Sequence, residues 1–216
     1  SMEICRSVGI SDGPIRAAGP SPVDTSHVRW VDRLVGRDLG VFSMAKDSQA
    51  IQRMLTTSPT PTTNLSQDQF EHLLFDHLPD PGKVRFEHTW RGFESTDQDC
   101  VSTLEGPQGE PFTIESKYLV GADGAGSPVR KSIGANMVGP DNIQTFINIH
   151  FNANLRGQVG GREGLLYWVM DKEVEGTFIA HDIDNNWIFK KSVDADEPIE
   201  PMDEEKYAGL LRKAIG

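Results

Sequence analysis

The chain has 216 residues, of which 37% are hydrophobic and 25% are charged, a composition typical of an ordinary globular protein with a buried core. Its net charge of −11 argues against nucleic acid or an anionic membrane as the main partner. No apolar run is long enough to span a membrane, and the two cysteines, Cys5 and Cys100, lack metal-ligand spacing. A reduced, cytoplasmic location fits these features best.

The N-terminal part predicts a helix end, a loop and a β-hairpin. Residues 1–10 resemble the last turns of a helix, and residues 11–26 are rich in Gly, Pro, Ser and Asp, which favours turn or loop. Residues 28–34 and 39–43 predict two strands joined in a hairpin. The apolar side of the first helix is predicted to contain Met2, Ile4, Cys5 and Val8.

A polar, proline-bearing linker is predicted at residues 56–64, and a helix follows it. Ser66 is a favoured N-cap residue, apolar residues then recur at helical spacing, and Pro79 ends the pattern. His72 and His77 are five residues apart and do not share a helical face. We therefore expect them to be surface residues rather than metal ligands.

Alternating apolar and polar residues predict a three-stranded antiparallel meander with one solvent-facing side. Turn-forming residues rich in Asp, Gln, Gly and Pro separate its strands. The predicted strands are Val84–Trp90, Cys100–Leu104 and Phe112–Glu115.

The segment that follows predicts a strand, a glycine-rich turn and a short helix. Tyr118–Ala122 is a short apolar run typical of a buried strand, and three glycines within six positions interrupt it. Ser127 and Pro128 are favoured at the N-cap and first position of a helix, and Gly134 can end that helix in a left-handed conformation.

Such a turn presents backbone N–H groups at the start of a helix, where a phosphate or another anion can bind. Asp123 can accept hydrogen bonds from ribose hydroxyls or water, and Arg130 supplies a positive charge. The segment contains neither the G-x-G-x-x-G order nor the lysine of a P-loop. The glycine pattern by itself also fits a tight turn without a ligand.

After Pro140 the sequence predicts a β-rich region that ends in a helix at residues 203–215. Its aromatic residues can cover a pocket for a flat substrate, or pack as core or against a partner subunit. Asp182, Asp184 and Asn186 begin like a calcium loop, but the required glycine is replaced by Trp187, so we reject calcium. The predicted strands are 144–151, 165–170, 177–183 and 187–191.

The segment Leu119–Arg130 closely resembles the "DG" motif of the single-component aromatic flavoprotein monooxygenases, the phenol-hydroxylase-like group. In that family the motif lies between the flavin pyrophosphate and the route of the pyridine nucleotide. Gly126 departs from the family pattern, since many relatives have Arg there. Gln67-x-x-Phe70-Glu71 resembles the Q-x-x-L-E segment whose glutamine contacts the flavin, and the 28–43 hairpin resembles a stretch at the margin of the substrate pocket.

The resemblance implies an α+β or α/β fold. Residues 1–140 are expected to form part of a glutathione-reductase-like FAD-binding domain with an antiparallel meander, with the 28–43 hairpin near the substrate side. Residues 141–216 are expected to form part of a β-sheet substrate domain. The residues expected to contact the cofactor are Gln67, Asp123, Gly124, Ser127 and Arg130.

In this family NAD(P)H reduces FAD, and the reduced flavin and oxygen hydroxylate an aromatic ring, so FAD and NAD(P)H are the implied cofactors. The chemistry belongs to the flavin, and no catalytic side chain is therefore predicted. The G-x-G-x-x-G unit and the later G-D segment of the family do not occur in these 216 residues. The sequence thus predicts a central portion or truncated relative of such a monooxygenase, acting on a small aromatic or polycyclic substrate, that binds FAD poorly by itself.

Two other functions remain open from the sequence. A flavin-free relative can act as a binding module, or as a cofactor-independent isomerase or cyclase with acid or base groups among His150, His181, Asp182 and Asp184. Alternatively, the aromatic sheet can be the interface of a homodimer.

Overall fold

A computed structural model of the chain describes residues 2–44, 48–58, 60, 62–140, 143–194 and 203–216. The fold is mixed, with helices and two mainly antiparallel sheets, as the α+β prediction requires. The helices are α1 (Met2–Ser7), α2 (Asp12–Ala18), α3 (Ser48–Thr57), α4 (Gln67–Asp76), α5 (Pro128–Ser132), α6 (Arg156–Val159) and α7 (Glu204–Ile215). The strands are β1 (His27–Val31), β2 (Asp38–Ser43), β3 (Thr89–Ser95), β4 (Cys100–Glu105), β5 (Pro111–Ser116), β6 (Thr145–Asn152), β7 (Leu166–Val169), β8 (Gly176–Asp182) and β9 (Asn186–Val193).

The chain forms two compact units. The larger unit combines Ser1–His77 with Asn142–Gly216, and the smaller unit is Leu78–Asp141. The predicted boundary at residue 140 thus lies at one edge of the smaller unit, but residues 1–77 pack with the C-terminal part of the chain. The reason is that β1 pairs in parallel with β7. Which unit contributes to a cofactor site and which to a substrate site stays a prediction.

The larger unit contains a six-stranded sheet in the order β2-β1-β7-β8-β9-β6. The hairpin predicted at 28–43 is confirmed as β1 and β2, and the four strands predicted after Pro140 are also confirmed. The first strand of the hairpin ends at Val31 rather than at residue 34 because the Asp32 carboxylate closes a turn. Its Oδ1 accepts the backbone N–H groups of Arg33 at 2.7 Å and Arg37 at 2.6 Å.

One face of this sheet is covered by α7 and forms the main core. Leu211 and Ala214 of α7 are buried there, and Tyr207 and Leu210 pack beside them. The fully buried aromatic residues of this face are Tyr167, Phe178, Trp187 and Phe189.

Close packing in this core explains a glycine at the start of β8. A Cβ added at Gly176 would lie 2.7 Å from the buried Phe189 ring and 2.8 Å from the Lys190 carbonyl oxygen. We expect Gly176→Ala to lower the free energy of unfolding by about 1–3 kcal/mol, because the ring and the strand must shift. Gly209→Ala, in α7 with open space around the added carbon, should raise stability instead. Equal effects of the two changes in urea denaturation would contradict this explanation.

The N-terminal helices correct two predictions. Residues 11–26 were predicted as turn or loop, but they contain α2, because Ile15 is buried against Cys5 and Ile10 and this packing outweighs the local composition. In α1 only Cys5 of the predicted apolar side is buried, while Ile4 and Val8 are exposed. The predicted linker begins after α3, later than residue 56, and positions 59 and 61 lie outside the described residues.

The smaller unit contains the predicted antiparallel meander, β3-β4-β5. Its first strand is Thr89–Ser95, later than the predicted 84–90. The register is fixed by the β3–β4 turn, in which the Thr96 hydroxyl accepts the N–H groups of Gln98 and Asp99 at 3.3 and 3.1 Å.

The prediction of a buried strand at Tyr118–Ala122 is wrong for this structure. The segment belongs to neither sheet, and Tyr118 and Val120 are 85% and 84% exposed. A strand needs a neighbour to accept its backbone hydrogen bonds, and among the described residues β5 pairs with β4 and offers no ladder to this segment.

Candidate functional site

The turn after this exposed segment is held together by the side chain of Asp123. Its Oδ1 accepts a hydrogen bond from the Ser127 hydroxyl at 2.5 Å, and its Oδ2 accepts the Val129 backbone N–H at 3.0 Å. The Ser127 hydroxyl and then the Val129 amide lower the pKa of Asp123 below its usual range. The carboxylate therefore stays ionised and fixes the turn against the start of α5.

Both ends of α5 have the caps that the sequence predicts. The Ser127 hydroxyl accepts the N–H of Arg130 at 2.9 Å, and Pro128 occupies the first helical position. At the other end Gly134 has φ +72°, and the N–H of Ala135 reaches the Arg130 carbonyl at 3.2 Å. The residues in and directly beside this short helix thus supply the caps at both of its ends.

Two glycines allow the chain to turn at Asp123. Gly124 has φ +79°, a left-handed conformation that side-chain-bearing residues rarely adopt. A Cβ added at Gly121 would lie 2.9 Å from Cγ1 of Val129, so only glycine lets this backbone pass so close to α5. Gly121 and Gly124 therefore serve the turn itself, whereas a Cβ added at Gly126 would meet open space.

The turn presents hydrogen-bond donors without protein acceptors. In the part of the chain that the structure describes, the N–H groups of Gly124, Ala125 and Gly126 have no acceptor. The Arg130 guanidinium donates through Nη1 to the Ala125 carbonyl at 2.8 Å, whereas its buried Nε has no partner among the described atoms. Three amides and a guanidinium suit a phosphate or carboxylate group, so the residues present fit a dinucleotide phosphate.

A cavity of about 540 Å³ lies beside the turn, within the size range of ligand pockets. It is lined by the β3–β4 turn, by the exposed segment 117–121, and by Ser127, Val129 and Arg130. A second cavity of about 440 Å³ extends along Leu119–Asp123 to His88 and Trp90. Both cavities reach Gly121, and the second extends to Asp123, so the start of the glycine turn borders open grooves.

The cap of α5 gives a stability prediction for the smaller unit. Ser127→Ala removes the acceptor of the Arg130 N–H and the donor to Asp123, and we expect a loss of about 1 kcal/mol in the free energy of unfolding. Ser132→Ala, which removes only a hydroxyl bonded to the Val129 carbonyl within the same helix, is the matched control. Equal losses for the two variants in thermal denaturation would contradict the capping role.

Gln67, the remaining predicted cofactor contact, is exposed at the first position of α4 in the larger unit. Its Nε2 donates to Oε1 of Glu71 at 2.7 Å. The structure brings Asp123, Gly124, Ser127 and Arg130 together in the smaller unit, and Gln67 does not belong to that group. All five assignments stay predictions.

The two histidines proposed as acid or base groups are tied into the sheet. Nε2 of His150 lies 2.8 Å from Oδ1 of the buried Asn186. Burial lowers the pKa of His181, whose Nδ1 lies 3.5 Å from the Asn64 amide nitrogen. His72 on α4 and His77 directly after it are exposed, as predicted.

Asp182 and Asp184, the two aspartates also considered as acid or base groups, take part in a turn and in an ion pair. Asp182 accepts the Asp184 backbone N–H at 2.9 Å. Arg156 hydrogen-bonds to both oxygens of Asp184 and thereby lowers the pKa of that carboxyl group, and it also bonds to the buried Asp24. Among the described residues no group of His, Cys, Asp and Glu side chains can hold a metal ion.

The aromatic residues of the sheet are divided between its two faces. Those predicted to cover a pocket are largely core beneath α7, but Phe146 and Trp168 lie on the opposite face and are exposed. Trp30 of β1 joins them there, and sequence reasoning missed it together with Lys190. Successive side chains of a strand point to opposite faces of the sheet, so the adjacent positions of Tyr167 and Trp168 are the sequence signal that assigns them to different faces.

Comparison with known proteins identifies the family. The whole chain, residues 1–216, matches the family described as FAD binding domain. It is 29% identical over 209 residues to the aklavinone 12-hydroxylase RdmE of Streptomyces purpurascens, covering 94% of this chain and 39% of that protein. It is 32% identical over 174 residues to the 2,4-dichlorophenol 6-monooxygenase of Cupriavidus pinatubonensis, covering 79% of this chain and 29% of that protein.

A solved structure supports the same relationship. The ternary complex of aklavinone-11 hydroxylase with FAD and aklavinone matches with a TM-score of 0.77 and 27% identity, over 99% of this chain and 42% of that chain. The chain thus spans less than half the length of these relatives. In the described residues no helix has the length and apolar character needed to cross a membrane. Since the family match extends over every residue, the chain belongs to the FAD binding domain family.

Proposed function

We propose that this chain contributes part of the FAD site and part of the substrate site of a flavin-dependent hydroxylase that acts on an aromatic or polyketide-like ring with NAD(P)H and oxygen. The observation that carries the proposal is the Asp123–Arg130 turn, with its free amides, in a chain that matches the FAD binding domain over its whole length. The aklavinone and dichlorophenol hydroxylases among its relatives support the substrate class.

When bound, FAD supplies the redox chemistry and the activation of oxygen. Asp123 is bonded to Ser127 and Val129 and thereby holds the turn, whose amides at Gly124 to Gly126 are proposed to donate to an anionic group of the cofactor. Arg130 adds a positive charge beside them, and Gln67 is proposed to contact the flavin. The role of the protein is to bind and orient the cofactor, because rigid donors lose little freedom when a ligand binds.

The substrate side is proposed to be the sheet of the larger unit, including the 28–43 hairpin and residues 143–193. NAD(P)H is proposed as the reductant and the cytoplasm as the location. The buried, unpaired Cys5 and Cys100 fit such a reducing compartment.

A binding experiment tests the cofactor assignment. We expect FAD fluorescence titrations to give a dissociation constant weaker than about 10 µM, because the turn offers only one part of a dinucleotide site. ADP-ribose, which contains the pyrophosphate, should compete with FAD, and riboflavin should not. Competition by riboflavin alone, or purification of the chain with near-stoichiometric flavin, would contradict the proposal.

A further inference from the structure

The helices and the sheet of the larger unit contain two separate hydrophobic clusters. One cluster lies between the six-stranded sheet and α7. The other, here called the helix cluster, is formed by apolar residues of α1, α2 and α4 together with Ile10 and Leu65. Among the described residues none belongs to both clusters. Polar contacts between the helix cluster and the sheet therefore contribute to holding α4 in place.

One such contact joins Asn64, three residues before the start of α4, to the end of β8. The Asn64 Nδ2 donates to the Ala180 carbonyl at 3.5 Å and lies 3.5 Å from Nδ1 of His181. Because a carbonyl oxygen only accepts hydrogen bonds, it fixes the Asn64 amide with its nitrogen toward the strand. Nδ1 of His181 thus faces a donor and can accept from it only while it carries no proton. Both distances are at the long end for hydrogen bonds, which suits a contact that opens.

The surroundings of His181 favour this unprotonated form. His181 is half-buried, and burial is the main cause that lowers its pKa below 6.5. Among the described residues, Asp68 of α4 favours the protonated form and His150 of β6 disfavours it. Burial outweighs the effect of the Asp68 carboxylate, so the contact with Asn64 is closed at neutral pH.

We propose that Asn64 and His181 form a latch that positions Gln67 and opens when His181 takes up a proton. Protonation places a hydrogen on Nδ1 opposite the Asn64 amide hydrogens, and it puts a positive charge in a half-buried position. Gln67 is the first residue of α4, so opening of the latch should move it. The proposal rests on the proposed function, in which Gln67 contacts the flavin, and adds control of that contact by pH.

The direction of the pH effect follows from the lowered pKa of His181. Its pKa with the latch closed is below the ordinary value of 6.5. The latch is therefore fully formed above about pH 6.5, and it is lost as the pH falls through the lower, closed-state value.

An NMR titration of the ¹⁵N-labelled 216-residue chain from about pH 8 to 5 tests the latch without any flavin. The ring nitrogens of His181 and the backbone amides of residues 63–68 should change with one common midpoint, below about pH 6.5. Glutamine does not take up a proton in this range, so His181→Gln should remove the pH step of these amides. His77→Gln, which replaces an exposed ring directly after α4, is the matched control and should leave the step unchanged.

Two further variants should move the midpoint in opposite directions. His150→Gln removes a group that disfavours protonation of His181, so the midpoint should rise. Asp68→Asn removes the carboxylate that favours protonation, so the midpoint should fall. Different midpoints for the His181 ring and the amides of residues 63–68 in the unmodified chain, or an unchanged amide step in His181→Gln, would overturn the proposal. A His181 midpoint at or above about 6.5 would do the same.

A fluorescence titration with FAD tests the positioning of Gln67. At the midpoint pH half of the molecules have an open latch, so the dissociation constant for FAD should be about twice its value at neutral pH. In His181→Gln it should be the same at both pH values. An equal pH dependence in the unmodified chain and in His181→Gln would overturn the positioning role. A common NMR midpoint combined with failed FAD binding would leave the latch standing and reject the proposed function alone.

Discussion

Alanine in place of Asp38 is expected to lower the free energy of unfolding of the larger unit by about 3 kcal/mol. Asp38 accepts hydrogen bonds from Arg29 at 2.7 Å and from Arg162 at 3.0 Å. Arg29 is 8% exposed, so the change leaves a buried guanidinium without its carboxylate partner.

Urea denaturation of the variant checks this effect. Glu173→Ala, which removes an exposed carboxylate of the same unit, should leave the unfolding free energy unchanged. The double variant Asp38→Ala/Arg29→Met should recover part of the loss, because it removes the unpaired charge. A loss below about 1 kcal/mol for Asp38→Ala would contradict a structural role for this ion pair.

Asp123→Ala is expected to weaken FAD binding at least tenfold, an effect of about 1.4 kcal/mol or more in the free energy of binding. Without the carboxylate, the Ser127 hydroxyl and the Val129 N–H lose their acceptor, and the turn that carries the three free amides loses the two bonds that tie it to the start of α5. Asp80→Ala, an exposed acid of the same unit, should bind FAD normally in a fluorescence titration. Unchanged affinity in Asp123→Ala would remove the turn from the cofactor site.

The same carboxylate sets an expected pH dependence. The pKa of Asp123 in the folded chain is lower than in the unfolded chain, first because of the Ser127 hydroxyl and then because of the Val129 amide. Its contribution is therefore fully present above the unfolded pKa of about 4, and it is lost as the pH falls through the lower folded value. We expect the turn to stay ordered from pH 8 to about 5. The amide NMR signals of residues 121–130, recorded over this pH range, measure that order. Loss of that order near neutral pH would contradict the assignment.

Sequence patterns correctly predicted the elements that are specified by residues close to one another in the chain. The Ser127 cap, Pro128 and Gly134 specify α5 within a few residues of one another, and the hairpin and strands after Pro140 follow from period-two patterns. Comparison with known proteins confirmed the family that the Leu119–Arg130 motif indicated.

The predictions that were wrong or incomplete concern segments whose structure depends on contacts between residues far apart in the sequence. α2 forms within a loop-like composition because Ile15 belongs to a buried cluster with Cys5 and Ile10, against which Leu65, Phe70, Leu73 and Leu74 pack from about 50 or more positions later in the sequence. The apolar run Tyr118–Ala122 is strand-like but finds no ladder among the described residues. Trp30 joins the aromatic face only because β1 pairs with β7, more than 130 positions later in the sequence.

An amide chemical-shift titration of the ¹⁵N-labelled chain with FAD tests the central claim most directly, because it detects weak binding residue by residue. We predict that the largest shifts occur in the amides of residues 121–130, and that Asp123→Ala raises the FAD concentration needed to produce them at least tenfold. Saturating FAD that leaves these amides unmoved, or moves only residues outside the turn, would contradict it.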